Sequence, residues 1–138
     1  MQFQIITPER VVSSEEISQV SLPTAEGEIT ILNHHIPLIT VLEPGELRYK
    51  KNNEEFSLAV SGGFVEVREN GTVIVLADTA EHAHEIDLAR AAEAQERAAK
   101  LMQETRHKDE VDYSALQVQM EKELARLRVG NKYRKLQS

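Results

Sequence analysis

The chain has 138 residues, a length that suits one compact domain, or one small domain with an appendage. It contains no cysteine, which excludes a disulfide framework and a thiolate metal site. We find no signal-peptide pattern at the N-terminus and no run of 18 apolar residues, so the sequence predicts no membrane insertion. It also lacks the G-x-x-x-x-G-K-[ST] loop, which argues against Walker-type NTP hydrolysis. These features predict an intracellular soluble protein, or a soluble subunit of a larger assembly.

The net charge of −7 is unevenly distributed along the chain. Residues 1–80 carry 12 acids and 5 bases, whereas residues 81–138 carry 11 of each. From residue 122 onward the chain contains six bases and one acid, Glu123. This C-terminal end therefore favours an anionic partner such as an acidic protein surface, phosphate or lipid headgroups. Nucleic acid is disfavoured, because Tyr133 is the single residue of this end that could stack on a base.

Up to about residue 77, short apolar runs alternate with turn signals. The predicted strands are Phe3–Thr7, Ile17–Leu22, Glu28–Leu32, Ile36–Leu42, Glu46–Lys50, Phe56–Val60, Phe64–Arg68 and Thr72–Ala77. Pro23 is expected to end the second strand, Ser61-Gly62-Gly63 to form a turn or bulge, and Asn70-Gly71 to form a hairpin turn. About eight short strands with regular turns predict a β-sandwich or barrel.

Two helices are predicted after the strands. The first runs from Leu88 to about Arg106 and is rich in alanine, the residue with the highest helix propensity. A polar break follows, Asp112 is the expected N-cap of the second helix, and Gly130-Asn131 its expected end. The second helix carries a narrow apolar seam, made of Tyr113, Leu116, Met120, Leu124 and Leu127. Alanine facing a thin seam packs weakly, so we expect an antiparallel hairpin suited to a conformational switch.

The joint between the two parts reads Ile86-Asp87-Leu88-Ala89-Arg90-Ala91. Asp87 and Arg90 lie three residues apart, on one face of the first helical turn. In one interpretation Asp87 is a helix N-cap and Arg90 its exposed ion-pair partner. In the other, both side chains bind a ligand.

Several motifs in order link the chain to a known family. They are Gly27-Glu28-Ile29-Thr30-Ile31-Leu32 with His35-Ile36-Pro37, Pro44-Gly45-Glu46-Leu47, Ser61-Gly62-Gly63-Phe64-Val65-Glu66-Val67, Val75-Leu76-Ala77-Asp78-Thr79-Ala80-Glu81, the joint, and Leu127-Arg128-Val129. Together they resemble the ε subunits of bacterial F-type ATP synthases over nearly the whole chain. Asn33 departs from the proline often found at that position, which affects local turn geometry.

The resemblance implies an α+β protein with an N-terminal β-sandwich domain, residues 1–84, and a C-terminal antiparallel two-helix hairpin, residues 85–138. It implies a non-catalytic subunit of the central stalk that contacts the γ subunit and the c ring. It further implies a peripheral location on the cytoplasmic face of the bacterial plasma membrane. In this family extended C-terminal helices inhibit ATP hydrolysis by reaching the β and α subunits of the catalytic head.

The resemblance also implies a regulatory ATP site, with or without Mg²⁺, at the folded hairpin. Its residues would be Glu81, Ile86, Asp87, Arg90, Ala91, Arg97 and Arg126. Arg90 and Arg97 are seven residues apart and share a helix face, and Arg126 can join them only when the second helix folds back. Three cations would offset the triphosphate charge, leaving the two acids to accept from adenine or ribose. Lys122 stands where a further arginine is expected and cannot bind phosphate bidentately.

Other residues receive roles through the same resemblance. Glu28 and His35 correspond to positions near the c ring. The expected contacts with the β subunit are Lys122, Arg126, Arg128, Lys132, Arg134 and Lys135. Two alternatives remain open at this point: a stand-alone ATP-sensing domain, and an enzyme that uses the acids of the joint, for which no nucleophile–base pair is found. His82 and His84 could form a metal pair, but no third ligand type lies nearby in sequence, and no metal site is predicted.

Overall fold

The computed structural model describes the backbone of residues 1–105 and 110–137 and the side chains of residues 1–103 and 114–134. The strands are β1 (Gln2–Ile6), β2 (Val11–Glu16), β3 (Gln19–Thr24), β4 (Gly27–Leu32), β5 (Leu38–Leu42), β6 (Gly45–Lys51), β7 (Glu54–Val67) and β8 (Val73–His82). A 3-10 turn, Ala83–Glu85, leads to helix α1 (Leu88–Thr105) and then helix α2 (Glu110–Gln137). Neither helix, over its described residues, is long and apolar enough to cross a bilayer.

The eight strands join in the order β2-β1-β8-β7-β5-β3-β4, with β6 pairing with both β3 and β7. The long strand β7 pairs with β6 through its first half and with β5 through its second half. The sheet therefore folds over and encloses one core. The largest fully buried side chains are Phe3, Ile5, Leu22, Ile31, Leu42, Leu47 and Leu58, with several valines. The predicted β-sandwich followed by a two-helix hairpin is confirmed.

The prediction of a turn or bulge at Ser61-Gly62-Gly63 is wrong. These residues lie inside β7, and Ser61 pairs with Thr79 and Gly63 with Ala77 in one unbroken register. The backbone bends here through positive φ angles of 33° at Gly62 and 139° at Gly63. A Cβ at Gly63 would lie 1.8 Å from the carbonyl oxygen of Leu76, so this position requires glycine.

One strand was missed in the sequence prediction, and two strands continue beyond their predicted ends. Strand β2 was not predicted, because Val11-Val12-Ser13-Ser14-Glu15-Glu16 is mostly polar and lies at the sheet edge. Strand β3 continues through Pro23, whose carbonyl oxygen accepts a hydrogen bond from the Glu43 N–H. Strand β8 continues to His82, beyond the predicted end at Ala77. Each difference follows from tertiary pairing that a local pattern does not contain.

Helix α2 differs from its prediction at both ends. It begins at Glu110, so Asp112 lies inside the helix and is not its N-cap. The predicted polar break lies largely outside the described residues. At the other end the helix continues through Gly130 to Gln137. Glycine at position 130 lets α2 pack closely against the joint, because a Cβ would lie 2.6 Å from Leu88 Cδ2 and 3.1 Å from Ile86 Cγ2.

The hairpin attaches to the β-sandwich mainly through small side chains. Ala59 of β7, Ala83 of the 3-10 turn, Ile86 of the joint and Val129 of α2 form a compact buried cluster, with Leu88 and Tyr133 packed against it. The two helices contact each other through buried Ala91 and Ala98 of α1. The predicted Leu/Met seam is only partly buried, and Leu124 is exposed. Small buried side chains provide little apolar area, so polar contacts matter for docking.

We predict that Gly130→Val loosens the docking of α2, because the new side chain meets Leu88 and Ile86 at the helix–joint crossing. The expected cost is about 1–3 kcal/mol. Hydrogen exchange of the α2 amides should accelerate in this variant. The matched control is Asn131→Val, which places the same side chain at an exposed neighbouring position. Equal exchange in the two variants would contradict the close-packing role of Gly130.

Candidate functional site

Arg126 of α2 lies between two carboxylates that come from different parts of the chain. Its Nε donates to Glu81 Oε2 at 2.7 Å and its Nη2 to Glu81 Oε1 at 3.2 Å. Its Nη1 donates to Glu123 Oε2, one helical turn earlier, at 2.7 Å. We call Glu81, Glu123 and Arg126 the Arg126 cluster. A bidentate guanidinium–carboxylate pair fixes both distance and orientation, so this cluster ties α2 to strand β8.

The cluster is partly shielded from solvent, most completely at Glu123, and the Glu81 side chain is 27% exposed. The Glu123 side chain is 3% exposed and that of Arg126 is 19% exposed. Glu123 also accepts a hydrogen bond from Gln119 Nε2 at 3.0 Å, which satisfies its second oxygen. The hydrogen bond to Glu81 raises the pKa of Arg126, burial opposes that rise, and the bond to Glu123 adds to it. Removing the cation would leave a buried carboxylate unpaired, which is strongly destabilising.

A hollow of about 320 Å³ opens beside the Arg126 cluster. Its charged walls are Glu81, Arg126 and Lys122, and its remaining walls come from Ala59 and Val60 of β7 and Thr79 and Ala80 of β8. Cations on one helix and an acid on the facing strand are groups that could bind phosphate and a hydroxyl or amino group. The structure thus brings together Glu81 and Arg126 of the predicted ligand residues, with Lys122 next to them.

The remaining predicted ligand residues lie at the start of α1. Asp87 Oδ1 accepts a hydrogen bond from the Arg90 backbone N–H at 3.1 Å, which is N-cap geometry. Arg90 Nε lies 3.8 Å from Asp87 Oδ2, and the Arg90 side chain is 84% exposed. In this structure the two residues make the contacts of the first interpretation: Asp87 caps the helix, and Arg90 is its exposed ion-pair partner. Ile86 and Ala91 are buried, and Arg97 is exposed.

Sequence reasoning did not identify Glu123 as part of the site. In the sequence Glu123 is one of two closely spaced acids, with Glu121, beside Lys122, and nothing in its neighbourhood indicates burial. The available signal was its spacing of three residues from Arg126, which places the two side chains on one helix face.

The C-terminal bases have different environments. Lys132 Nζ donates to both oxygens of Glu46, at 3.2 and 3.3 Å. Glu46 lies 3.6 Å from Arg48 Nε, and Arg48 pairs with Glu28 in turn. A partly exposed line of alternating charges therefore runs from α2 across β6 to β4. Arg128 and Arg134 are exposed, and the Lys135 side chain lies outside the described residues.

One face of the sheet carries a continuous row of apolar side chains directed away from the core. The register places Val11, Ile6, Leu76, Phe64 and Val41 side by side across β2, β1, β8, β7 and β5. Four of these five are exposed large apolar residues, with Phe64 54% exposed, and Ile39 lies two residues before Val41. We call these six residues the outer apolar row. A contiguous apolar patch of this kind is typical of a protein interface.

A second exposed apolar pair flanks His35, one of the predicted contact residues. Leu32 ends β4 and Ile36 follows in the next loop, where Ile36 is 75% exposed. His35 Nδ1 is 2.7 Å from the Ile36 carbonyl oxygen. His34 in the same loop has a positive φ of 68°, which is uncommon for a non-glycine residue. The loop presents apolar and polar groups together at one end of the β-sandwich.

His82 and His84 stack with ring centroids 5.4 Å apart. Among the described residues, no group of three histidines, aspartates or glutamates is arranged to hold a metal ion.

Comparisons with known proteins cover nearly the entire chain. Residues 1–83 match the family described as ATP synthase, Delta/Epsilon chain, beta-sandwich domain, and residues 84–131 match its long alpha-helix domain. The ATP synthase epsilon chain of Dehalococcoides mccartyi is 46% identical over 98% of this chain and 95% of that relative. The epsilon chain of Herpetosiphon aurantiacus is 45% identical over 94% of this chain and 93% of that relative.

Chains in solved ATP synthase structures also resemble this chain in fold. A chain in the Euglena gracilis mitochondrial ATP synthase structure, which contains OSCP, F1 and the c-ring, matches with a TM-score of 0.73 and 25% identity. That match covers 86% of this chain and 74% of the Euglena chain. A chain in the Tetrahymena thermophila mitochondrial ATP synthase structure matches with a TM-score of 0.54 and 22% identity, which supports the fold alone. It covers 62% of this chain and 69% of that chain.

Proposed function

The chain belongs to the delta/epsilon chain family of ATP synthase subunits, and from this we propose that it is a non-catalytic rotor subunit of the central stalk. In that role it couples the γ subunit to the c ring of a proton-translocating F-type ATP synthase. The observation that carries the proposal is the outer apolar row, a continuous exposed apolar surface of the kind found at protein interfaces. The chain is then a peripheral protein on the cytoplasmic face of the membrane.

The two exposed apolar regions give this role two separate contact surfaces. We assign the outer apolar row to the γ subunit, because a broad sheet face suits a large complementary surface. We assign the loop with Leu32, His35 and Ile36, together with Glu28 on β4, to the c ring. Both regions belong to the β-sandwich, so the helical hairpin remains available for regulation.

The hairpin supplies the proposed inhibition of ATP hydrolysis. At 1.5 Å per residue, α1 would span about 27 Å and α2 about 42 Å, so an opened hairpin reaches far from the β-sandwich. Opening would free Arg126 from Glu81 and Lys132 from Glu46, while Glu123 stays beside Arg126 on the same helix. These bases, with Lys122, Arg128, Arg134 and Lys135, would then meet acidic surfaces on the β and α subunits of the catalytic head.

ATP is the proposed regulatory ligand of the docked hairpin, with or without Mg²⁺. The supporting observation is the hollow that places Lys122 and Arg126 opposite Glu81. Arg126 already donates to two carboxylates, so phosphate must share this guanidinium or displace a carboxylate from it. Arg90 and Arg97 are exposed on α1, and in this proposal they turn toward the bound triphosphate. ATP then favours the docked state only to the extent that it binds that state more tightly.

We predict that Phe64→Asp prevents assembly with the γ subunit while the isolated chain stays folded. The carboxylate would lie in the middle of the outer apolar row and lose its hydration at the interface, a cost of several kcal/mol. The measurement is co-purification of separately expressed γ and c subunits with the full chain, with circular dichroism as the folding check. The matched control is Val118→Asp, which changes an exposed apolar residue of α2.

The same assay separates the proposal from the alternative of a stand-alone ATP-sensing domain. A stand-alone domain would capture neither γ nor c subunits. If the Phe64→Asp chain captured γ as well as the unmodified chain does, the outer apolar row would not be part of the interface.

We predict that Asp87→Ala and Arg90→Ala weaken ATP binding by about tenfold each without unfolding the β-sandwich, since each removes a charge-assisted contact. Isothermal calorimetry of the isolated chain with ATP, with and without Mg²⁺, measures this. Lys100→Ala is the control, because Lys100 is an exposed cation farther along α1. Wild-type affinity in both joint variants would leave Asp87 and Arg90 as a helix cap and its ion pair.

A further inference from the structure

Glu123 is the only charged residue that is buried in the part of the chain that the structure describes, and it is 2% exposed. A buried carboxylate is costly unless it is paired and hydrogen-bonded. Arg126 Nη1 donates to one of its oxygens and Gln119 Nε2 to the other. Glu123 does not line the hollow beside Arg126. It therefore affects a ligand in that hollow through Arg126, by contact and by charge.

Glu81 and Glu123 compete with a phosphate for the same guanidinium. Of the five N–H groups of Arg126, two donate to Glu81 and one to Glu123, which leaves two for another acceptor. Glu81 lies on strand β8, so its distance from Arg126 changes when the hairpin opens. Glu123 precedes Arg126 by three residues on α2 and stays beside it in either position of the hairpin. Its negative charge therefore accompanies Arg126 in both states.

The charges that the structure places at the hollow and at Arg126 are balanced. Lys122 and Arg126 supply two cations, and Glu81 and Glu123 supply two carboxylates. A triphosphate carries several negative charges, so it binds more tightly where cations are in excess. Charges in a partly buried cluster are screened less than charges in water. One carboxylate beside Arg126 therefore has a measurable effect on a phosphate bound to that guanidinium.

We propose that Glu123 sets the affinity of the hollow for nucleotide, by holding one nitrogen of Arg126 and by keeping a negative charge next to the guanidinium. The inference rests on the proposed ATP site and concerns its regulation. Glu123 is a positioning residue, because it contacts Arg126 and not the ligand. By weakening the binding of ATP to the docked state, it raises the ATP concentration at which the hairpin is held docked.

The substitution Glu123→Gln tests the charge with little change in shape. Glutamine keeps an oxygen that can accept from Arg126, and the Gln119 amide can turn so that its own oxygen accepts from the new NH₂ group. Calorimetry of the full chain should show ATP binding about tenfold more tightly to this variant than to the unmodified chain. Glu121→Gln is the matched control, because it removes the same charge from an exposed position on the other side of α2. It should change the affinity less than about twofold.

A series of nucleotides separates an effect on phosphate from an effect on docking. AMP, ADP and ATP share adenosine and differ in the number of phosphates. An effect on phosphate makes the gain from Glu123→Gln increase from AMP to ADP to ATP. An effect on docking alone gives the same gain for all three, because each binds the same docked population. Titrations followed by the amide chemical shifts of Thr79 and Ala80, which line the hollow, measure the weaker ligands.

The outcomes distinguish the role of Glu123 from the ATP site itself. If Glu123→Gln bound ATP no more tightly than the unmodified chain, gained equally for all three nucleotides, or gained no more than Glu121→Gln, the role of Glu123 would be overturned and ATP would remain the ligand. If neither the unmodified chain nor Glu123→Gln bound ATP, the ATP site would be overturned, and this inference with it.

Discussion

The guanidinium of Arg126, held between Glu81 of the β-sandwich and Glu123 of its own helix, is the interaction on which the position of the hairpin depends. The apolar contacts around it are modest, because the attachment cluster is built mainly from alanines, Ile86 and Val129. Loss of one partner from a buried charge pair leaves the other charge desolvated and unpaired. The Arg126 cluster therefore makes docking of α2 specific in register and costly to disturb.

This arrangement has a consequence for regulation. The partly buried guanidinium of Arg126 can leave Glu81 only when another anion or bulk water replaces that carboxylate. The proposed function supplies two such replacements, a triphosphate in the hollow beside Arg126 and an acidic surface on a catalytic subunit. Arg126 cannot satisfy both at once, so the same side chain would favour the docked hairpin with one partner and the extended hairpin with the other. On this proposal, the small apolar attachments would keep the docked and extended states close in free energy.

The sequence predicted the architecture well because its signals are local. Turn residues separate the strands, alanine content indicates α1, and Asp87 caps that helix as one interpretation expected. The missed features depend on contacts across the chain. Gly130-Asn131 is a pattern typical of a helix end, but Gly130 permits α2 to approach Leu88 closely. Ser61-Gly62-Gly63 is typical of a turn, but Gly63 lets β7 bend beside Leu76.

The candidate site was predictable only in part for the same reason. Family resemblance indicated Glu81 and Arg126, and the structure places them in direct contact. The burial of Glu123 could not be predicted, because it depends on how α2 packs against β7 and β6. The outer apolar row could likewise not be predicted from the sequence. Only strand pairing makes its members neighbours: Val11, Ile6, Leu76, Phe64 and Val41.

A double-mutant cycle on the docking equilibrium tests the central role of the Arg126 cluster most directly. The chain has no cysteine, so spin labels at introduced cysteines, Glu26→Cys and Asn131→Cys, report the distance between the β-sandwich and α2. The docked fraction is measured through a urea series for the labelled chain, for Glu81→Gln, for Arg126→Gln and for the two combined.

The account predicts that the two substitutions are coupled by at least about 1 kcal/mol, because each removes the same bidentate contact. Additive effects within about 0.3 kcal/mol, or a docked fraction unchanged by Arg126→Gln, would contradict it.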